Sequence, residues 1–173
     1  MLRKRLEEMT HVDDVWRHPA LLAALTRECP NTVSLLNSVH PIRRYTCIMH
    51  VFGFAGRPDY AAIATSGLGR IFAAGDFAHW LLDNNLLVEA AQGPAREGDI
   101  VFYFSDDGRF KHAARMLGNG RVVSKWGIGH LYEHEIFEVP ESYGSTVRFF
   151  RGLSYEEAFE YFVRFAEEES TRF

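Results

Sequence analysis

Only two cysteines, Cys29 and Cys47, occur in 173 residues. So sparse a set makes no disulfide scaffold. Pairing between the two stays open, and reduced thiols are the expectation. No apolar run approaches the roughly 20 residues that a membrane-crossing helix needs. Residues 1–15 are charged and lack the apolar segment of a secretory signal. The expected location is therefore cytoplasmic, or outside the cell by a route without a cleaved signal. Internal repeats are absent. An excess of basic charge is absent too, since 19 Lys and Arg face 23 Asp and Glu for a net charge of −4. That balance argues against a nucleic-acid partner. The one basic cluster, Leu2-Arg3-Lys4-Arg5, reads as a solvated helix start.

What is present is enough apolar and aromatic material, 47% and 14%, for one domain with a substantial core. The N-terminal third reads as helical. Residues 3–10 form a short helix, Asp13 or Asp14 caps another, and Pro19 fits the first turn of a helix carrying Leu21, Leu22 and Leu25. Residues 32–39 suggest a further turn or helix. A helix begins at Cys47 and runs to about Phe54. Residues 57–75, broken by Gly67, Gly69 and Gly75, read as loop. Asp76 caps a helix through Leu82, residues 86–89 are extended, and Gly93-Pro94 is a turn.

From Gly98 the pattern becomes β. Residues 100–104 are continuously apolar and predict an interior strand, and Asp107-Gly108 marks a hairpin turn. A second strand opens at His112 and ends at Leu117, Gly118-Asn119-Gly120 turns, and residues 121–126 form a third. Residues 127–145 read as irregular, and residues 146–151 as a fourth strand. Ser154 and Glu157 make a capping box for a C-terminal helix burying Ala158, Phe159, Phe162, Val163 and Ala166. The fold class is α+β, with N-terminal helices packed on an antiparallel sheet and a C-terminal helix.

Two residues carry candidate chemistry. Cys47 stands at a helix start, where the dipole favours a thiolate. His112 stands on a neighbouring strand, where it can act as the base. The run Gly98-Asp99-Ile100-Val101-Phe102, then His112, then Leu117-Gly118-Asn119-Gly120 resembles the NlpC-type branch of the papain-like cysteine peptidases over roughly residues 43–126. The order of cysteine before histidine is that of the unpermuted hydrolases. The resemblance implies a single domain over residues 1–173: a helical extension (1–42), a papain-like core (43–153) and the C-terminal helix (154–173). It also implies a third polar residue on the next strand. That position falls at Ser124, a weaker orienter than His, Asn or Gln. Lys125 alternates to the other face of a regular strand, and Glu135 also competes. Thr46 and Ile48 depart from the acidic or Asn residue and the small residue that usually flank the family's cysteine.

For the oxyanion and substrate groove the candidates are the Cys47 backbone N–H, Tyr45 and Trp126. The aromatic set Tyr103, Phe104, Phe110, Trp126, Tyr132 and Tyr143 either packs the core or lines a groove. His50, one helical turn after Cys47, is a poorly placed alternative base. His130 and His134 have the i, i+4 spacing of a helical zinc pair, but His130 is followed by Leu131 and no third ligand is evident. No metal and no cofactor are expected. The function implied is amide-bond hydrolysis by a Cys-His dyad on a peptide-like or peptidoglycan-derived substrate. The alternatives are a degraded site on the same fold serving as a binding or regulatory module, and a protein partner docked on the N-terminal helices.

Overall fold

The run Ile100-Val101-Phe102-Tyr103-Phe104 is apolar at every position, which suits a strand covered on both faces. In the computed structural model, which describes residues 1–90 and 95–172, it is β2 (Ile100–Phe104), buried throughout. The others are β1 (Ser34–Leu36), β3 (Phe110–Met116), β4 (Val122–Lys125), β5 (Leu131–His134) and β6 (Thr146–Phe150). They form one six-stranded sheet in the order β1-β5-β4-β3-β2-β6, with every neighbouring pair antiparallel. Two layers of helix cover it. On one face α1 (Leu2–Thr10) and α2 (His18–Glu28) set Leu6, Met9, Leu22 and Leu25 against Val101, Tyr103, Ala114 and Met116. On the other lie α3 (Cys47–Val51), α4 (Pro58–Leu68), α5 (Gly75–Asp83) and α6 (Tyr155–Ser170). There Phe162 meets the rings of Phe54, Tyr60 and Phe77 at 5.3, 4.7 and 5.3 Å. The architecture is thus α+β, with six helices and six strands among the described residues.

Several local expectations are overturned. Residues 58–68 are helix, not loop. Pro58 takes the first turn, Asp59 sits at the positive end, and Gly69 closes the helix in the left-handed conformation at φ 64°. Gly67 stays inside α4 because α6 crosses there. A Cβ at Gly67 would lie 3.0 Å from Ala166 Cβ. The breaker signal was really a close-approach signal. Residues 34–36 are an edge strand held by β5, a long-range pairing invisible to local propensity. The stretch expected to be irregular contains β5 and a 3-10 turn, Glu141–Tyr143.

Boundaries move as well. Helix α3 stops at Val51, and the Arg115 guanidinium donates to the Val51 carbonyl at 2.8 Å. Asp76 lies inside the first turn of α5, with Ala74 as the cap. Strand β3 begins at Phe110, so His112 is its third residue. The capping box at Ser154 and Glu157 forms as expected. The turn expected at Gly93-Pro94 lies outside the described residues.

Candidate functional site

Cys47 opens α3 because Thr46 caps it. The Thr46 hydroxyl accepts the Met49 N–H at 3.2 Å and donates to the Ala73 carbonyl at 2.7 Å. Strand β3 pairs with β4 only from Ala114 onward. Residues 110–113 therefore have β2 on one side and no strand partner on the other. Helix α3, which Cys47 opens, packs on β3 and β4. The thiol is thereby brought against the β3 segment that carries His112 and Ala113.

The helix-start expectation for the thiol does not hold. Burial pushes the Cys47 thiol above its ordinary value. The N–H groups of Ala113 and Ile48 and the charge of Lys125 pull it down, but by less. A five-residue helix offers only a small dipole against that desolvation. His112 is 1% exposed. Burial drives its imidazole well below the usual range, with His134 and His50 adding repulsion. At neutral pH the resting pair is therefore a neutral thiol and a neutral imidazole. The Nε2 of His112 is buried without a hydrogen-bond partner among the described residues. Its ring stacks on Tyr143 at 4.1 Å and 23°.

Ser124 lies opposite Ala114 on β3, on the same face as His112, but its hydroxyl is committed elsewhere. Trp126 Nε1 donates to Ser124 Oγ at 2.9 Å, and Ser124 Oγ lies 2.7 Å from His134 Nε2. His134 Nδ1 lies 2.7 Å from the Glu135 carbonyl. With Nδ1–H donating to that carbonyl, Nε2 accepts the Ser124 proton, and every member is satisfied. Ser124 thus orients His134, not His112. Glu135 enters through its main chain only, its side chain being exposed.

Lys125 takes the opposite face, as alternation requires, and is fully buried. Its ammonium donates to the Gly127 carbonyl at 2.8 Å and sits 4.8 Å from the centre of the Tyr45 ring. No carboxylate pairs with it among the described residues, and burial pushes it down to about 8. It is the cation that bears on Cys47. The Tyr45 hydroxyl is 2.5 Å from Ser38 Oγ, so its hydrogen bond is already spent away from the thiol.

Trp126 is buried against Tyr132, ring centres 4.3 Å apart. With Tyr143 it walls a cleft of about 290 Å³, whose far side carries Glu7, Thr10 and Val15. Tyr103, Phe104 and Tyr132 are core, and Phe110 packs against it. His50 is pushed down to about 4 by burial, then by Arg115 and Lys125. His130 and His134 flank and end a strand, not a helix turn, and His130 Nε2 lies 2.9 Å from the Val15 carbonyl. The described residues bring together no group of three or more metal-ligating side chains.

Residues 42–151 match the family model described as Domain of unknown function (DUF7689). The chain belongs to the DUF7689 family. No curated protein and no solved structure matches it. The DUF7689 stretch holds Cys47, His112, Ser124, Lys125 and Tyr143, whereas α1, α2, β1 and α6 lie outside it. Among the described residues no helix is long and apolar enough to cross a membrane.

Sequence reading named Tyr143 only among aromatics of the core or a groove and His134 only as half of a zinc pair, and assigned neither its place beside His112 and Ser124. The tyrosine carried a weak signal. Gly144 holds φ 109°, and a Cβ there would lie 2.5 Å from the Phe104 carbonyl oxygen. A Tyr-Gly pair at such a constrained point marks a side chain whose direction is fixed.

Proposed function

We propose that this DUF7689 domain is a papain-like thiol hydrolase that cleaves an amide bond of peptide or peptidoglycan-stem type. The observation that carries the reading is the packing of α3, whose first residue is Cys47, on β3, the strand that carries His112. Because burial holds the thiol neutral, the proton leaves only as the sulfur attacks. His112 accepts it while the carbon–sulfur bond forms. The carbonyl oxygen becomes an oxyanion facing the Cys47 backbone N–H. Collapse breaks the carbon–nitrogen bond, and His112 returns the proton to the departing amine. Water then adds to the thioester, losing a proton to His112, and releases the acid and the free thiol.

One observation favours a second reading, a binding or regulatory module on the same fold. His112 Nε2 has no partner among the described residues, and the serine that would orient it is hydrogen-bonded to His134 and Trp126.

The two readings separate on the alkylation of Cys47 by iodoacetamide from pH 6 to 9, with Cys29 as internal control. If His112 is the proton acceptor, His112→Ala slows labelling of Cys47 at pH 7 by about tenfold or more, because the neutral thiol then has no base to take its proton as the sulfur attacks. Cys29 keeps its rate. Equal Cys47 rates in the two proteins at every pH would overturn the hydrolase and leave the binding module.

A further inference from the structure

We propose that Tyr143 is the positioning residue of His112, setting the plane of the imidazole by ring stacking where no polar side chain does, and that α1 locks it in place through Arg3 and Glu7. The inference rests on the thiol-hydrolase reading and names what that site uses in place of a third polar residue.

An imidazole that must accept a proton from one fixed sulfur needs its ring plane held. A carboxylate, amide or carbonyl usually does this through the second ring nitrogen. Here Nε2 has no partner among the described residues, and the Ser124 hydroxyl is spent on His134. What remains are the two ring faces. Tyr143 lies on one at 4.1 Å and 23°, and Tyr103 borders the ring at 5.4 Å and 52°. The Tyr103 hydroxyl is itself fixed, donating to the Ile136 carbonyl at 2.7 Å.

Tyr143 sits on a short segment with little regular structure, yet its backbone is held from three directions. The Arg3 guanidinium donates to the carbonyls of Val139 and Pro140, each at 3.1 Å, and also to those of Glu141 and Gly144. The Glu7 carboxylate accepts from both the Ser142 N–H at 3.0 Å and the Ser142 hydroxyl at 2.7 Å. Behind the tyrosine, Gly144 presses against the end of β2, where no side chain fits. Two charged residues of one helix thus take six hydrogen bonds to the six-residue span that presents a single ring to His112. Charge-assisted bonds are about twice as strong as neutral ones, so the clamp is stiffer than a turn alone.

The test reads His112 and Cys47 together in the full chain. Imidazole nitrogen and carbon resonances of His112 are recorded by NMR, and Cys47 alkylation is timed at pH 7. Both are done for the wild type, Tyr143→Phe, Tyr143→Leu, Arg3→Ala and His112→Ala. Tyr143→Phe keeps the ring and is expected to retain the His112 resonances and the labelling rate. Tyr143→Leu removes the stacked ring, shifts the His112 resonances and slows labelling about tenfold, towards the His112→Ala rate. Arg3→Ala leaves the tyrosine in the chain and moves both readouts in the same direction, so the proposal stays testable if Tyr143→Leu does not fold. A folded Tyr143→Leu protein, or Arg3→Ala in its place, with wild-type resonances and wild-type labelling would overturn the positioning role. If His112→Ala itself leaves Cys47 labelling unchanged, the hydrolase reading is what fails. The resonances of Tyr143→Phe against Tyr143→Leu then decide on their own whether the stack orients the ring.

Discussion

Lowering the pH from 7 to 4 is expected to remove on the order of 6 kcal/mol of folding free energy, well before most surface carboxylates titrate. Two imidazoles, one on each face of the sheet, account for it. His50 and His134 are each pushed down to about 4, mainly by burial, and burial lowers His112 as well, adding to the loss. In the unfolded chain each returns to about 6.5. A base whose folded pKa is depressed binds its proton better when unfolded. Its full stability is therefore present above pH 6.5 and is lost as the pH falls towards 4. Each shift of about 2.5 units is worth roughly 3 kcal/mol. The loss is large against the 5–15 kcal/mol that a domain usually holds. Urea unfolding at pH 7, 5.5 and 4.5 measures the slope. His134→Gln should flatten it by about one proton, and a stability independent of pH across that window would refute the assignment.

Lys125→Met is expected to stabilise the protein at pH 7 by about 1–3 kcal/mol while slowing the Cys47 thiol. The ammonium is fully buried, has no carboxylate partner among the described residues, and is pushed from 10.5 to about 8. Here too the folded state binds the proton more weakly. The cost is absent above pH 10.5, grows as the pH falls and is complete below about 8. It comes to roughly 3 kcal/mol, reduced in the variant by the lost bond to the Gly127 carbonyl and the lost contact with Tyr45. Unfolding at pH 7 and again at pH 11 should show the advantage of the methionine variant vanishing at the higher pH. The same substitution removes a cation that draws the Cys47 thiol down, so labelling at pH 7 should fall. A residue whose removal strengthens the fold and weakens the thiol fits a role in function better than one in stability.

How much of this was legible in the sequence depends on range. Capping at Ser154, the apolar run of β2 and the Asp-Gly hairpin are local signals, and each matches the structure. Alternation along β4 correctly sends Lys125 away from Ser124. What failed needed a partner far along the chain. Gly67 looked like a breaker because Ala166, which it admits, is nearly a hundred residues away. Residues 34–36 are a strand only because β5 is there to pair with them. At the site, Cys47 and the β3 segment carrying His112 are brought together, whereas the partners of each group were hidden. The sequence offers a serine at the third position, but not that His134 would claim its hydroxyl or that Tyr143 would cover His112. The raised thiol was missed for the same reason, since a helix start can be read locally and desolvation cannot.

The pairing of β1 with β5 also sets an order of events during synthesis. Ser34 lies opposite Glu133 and Leu36 opposite Leu131, a closure of roughly a hundred residues, long for a contact of only three pairs. A ribosome making this chain releases β1 early and must deliver β5, after the whole central hairpin, before that edge has anything to bind. Helix α1 waits as well, because the carbonyls that Arg3 grips belong to residues 139–144. Residues 1–40 are thus made well before the segments they dock on, and the wall over His112 closes only once residues 139–144 have emerged.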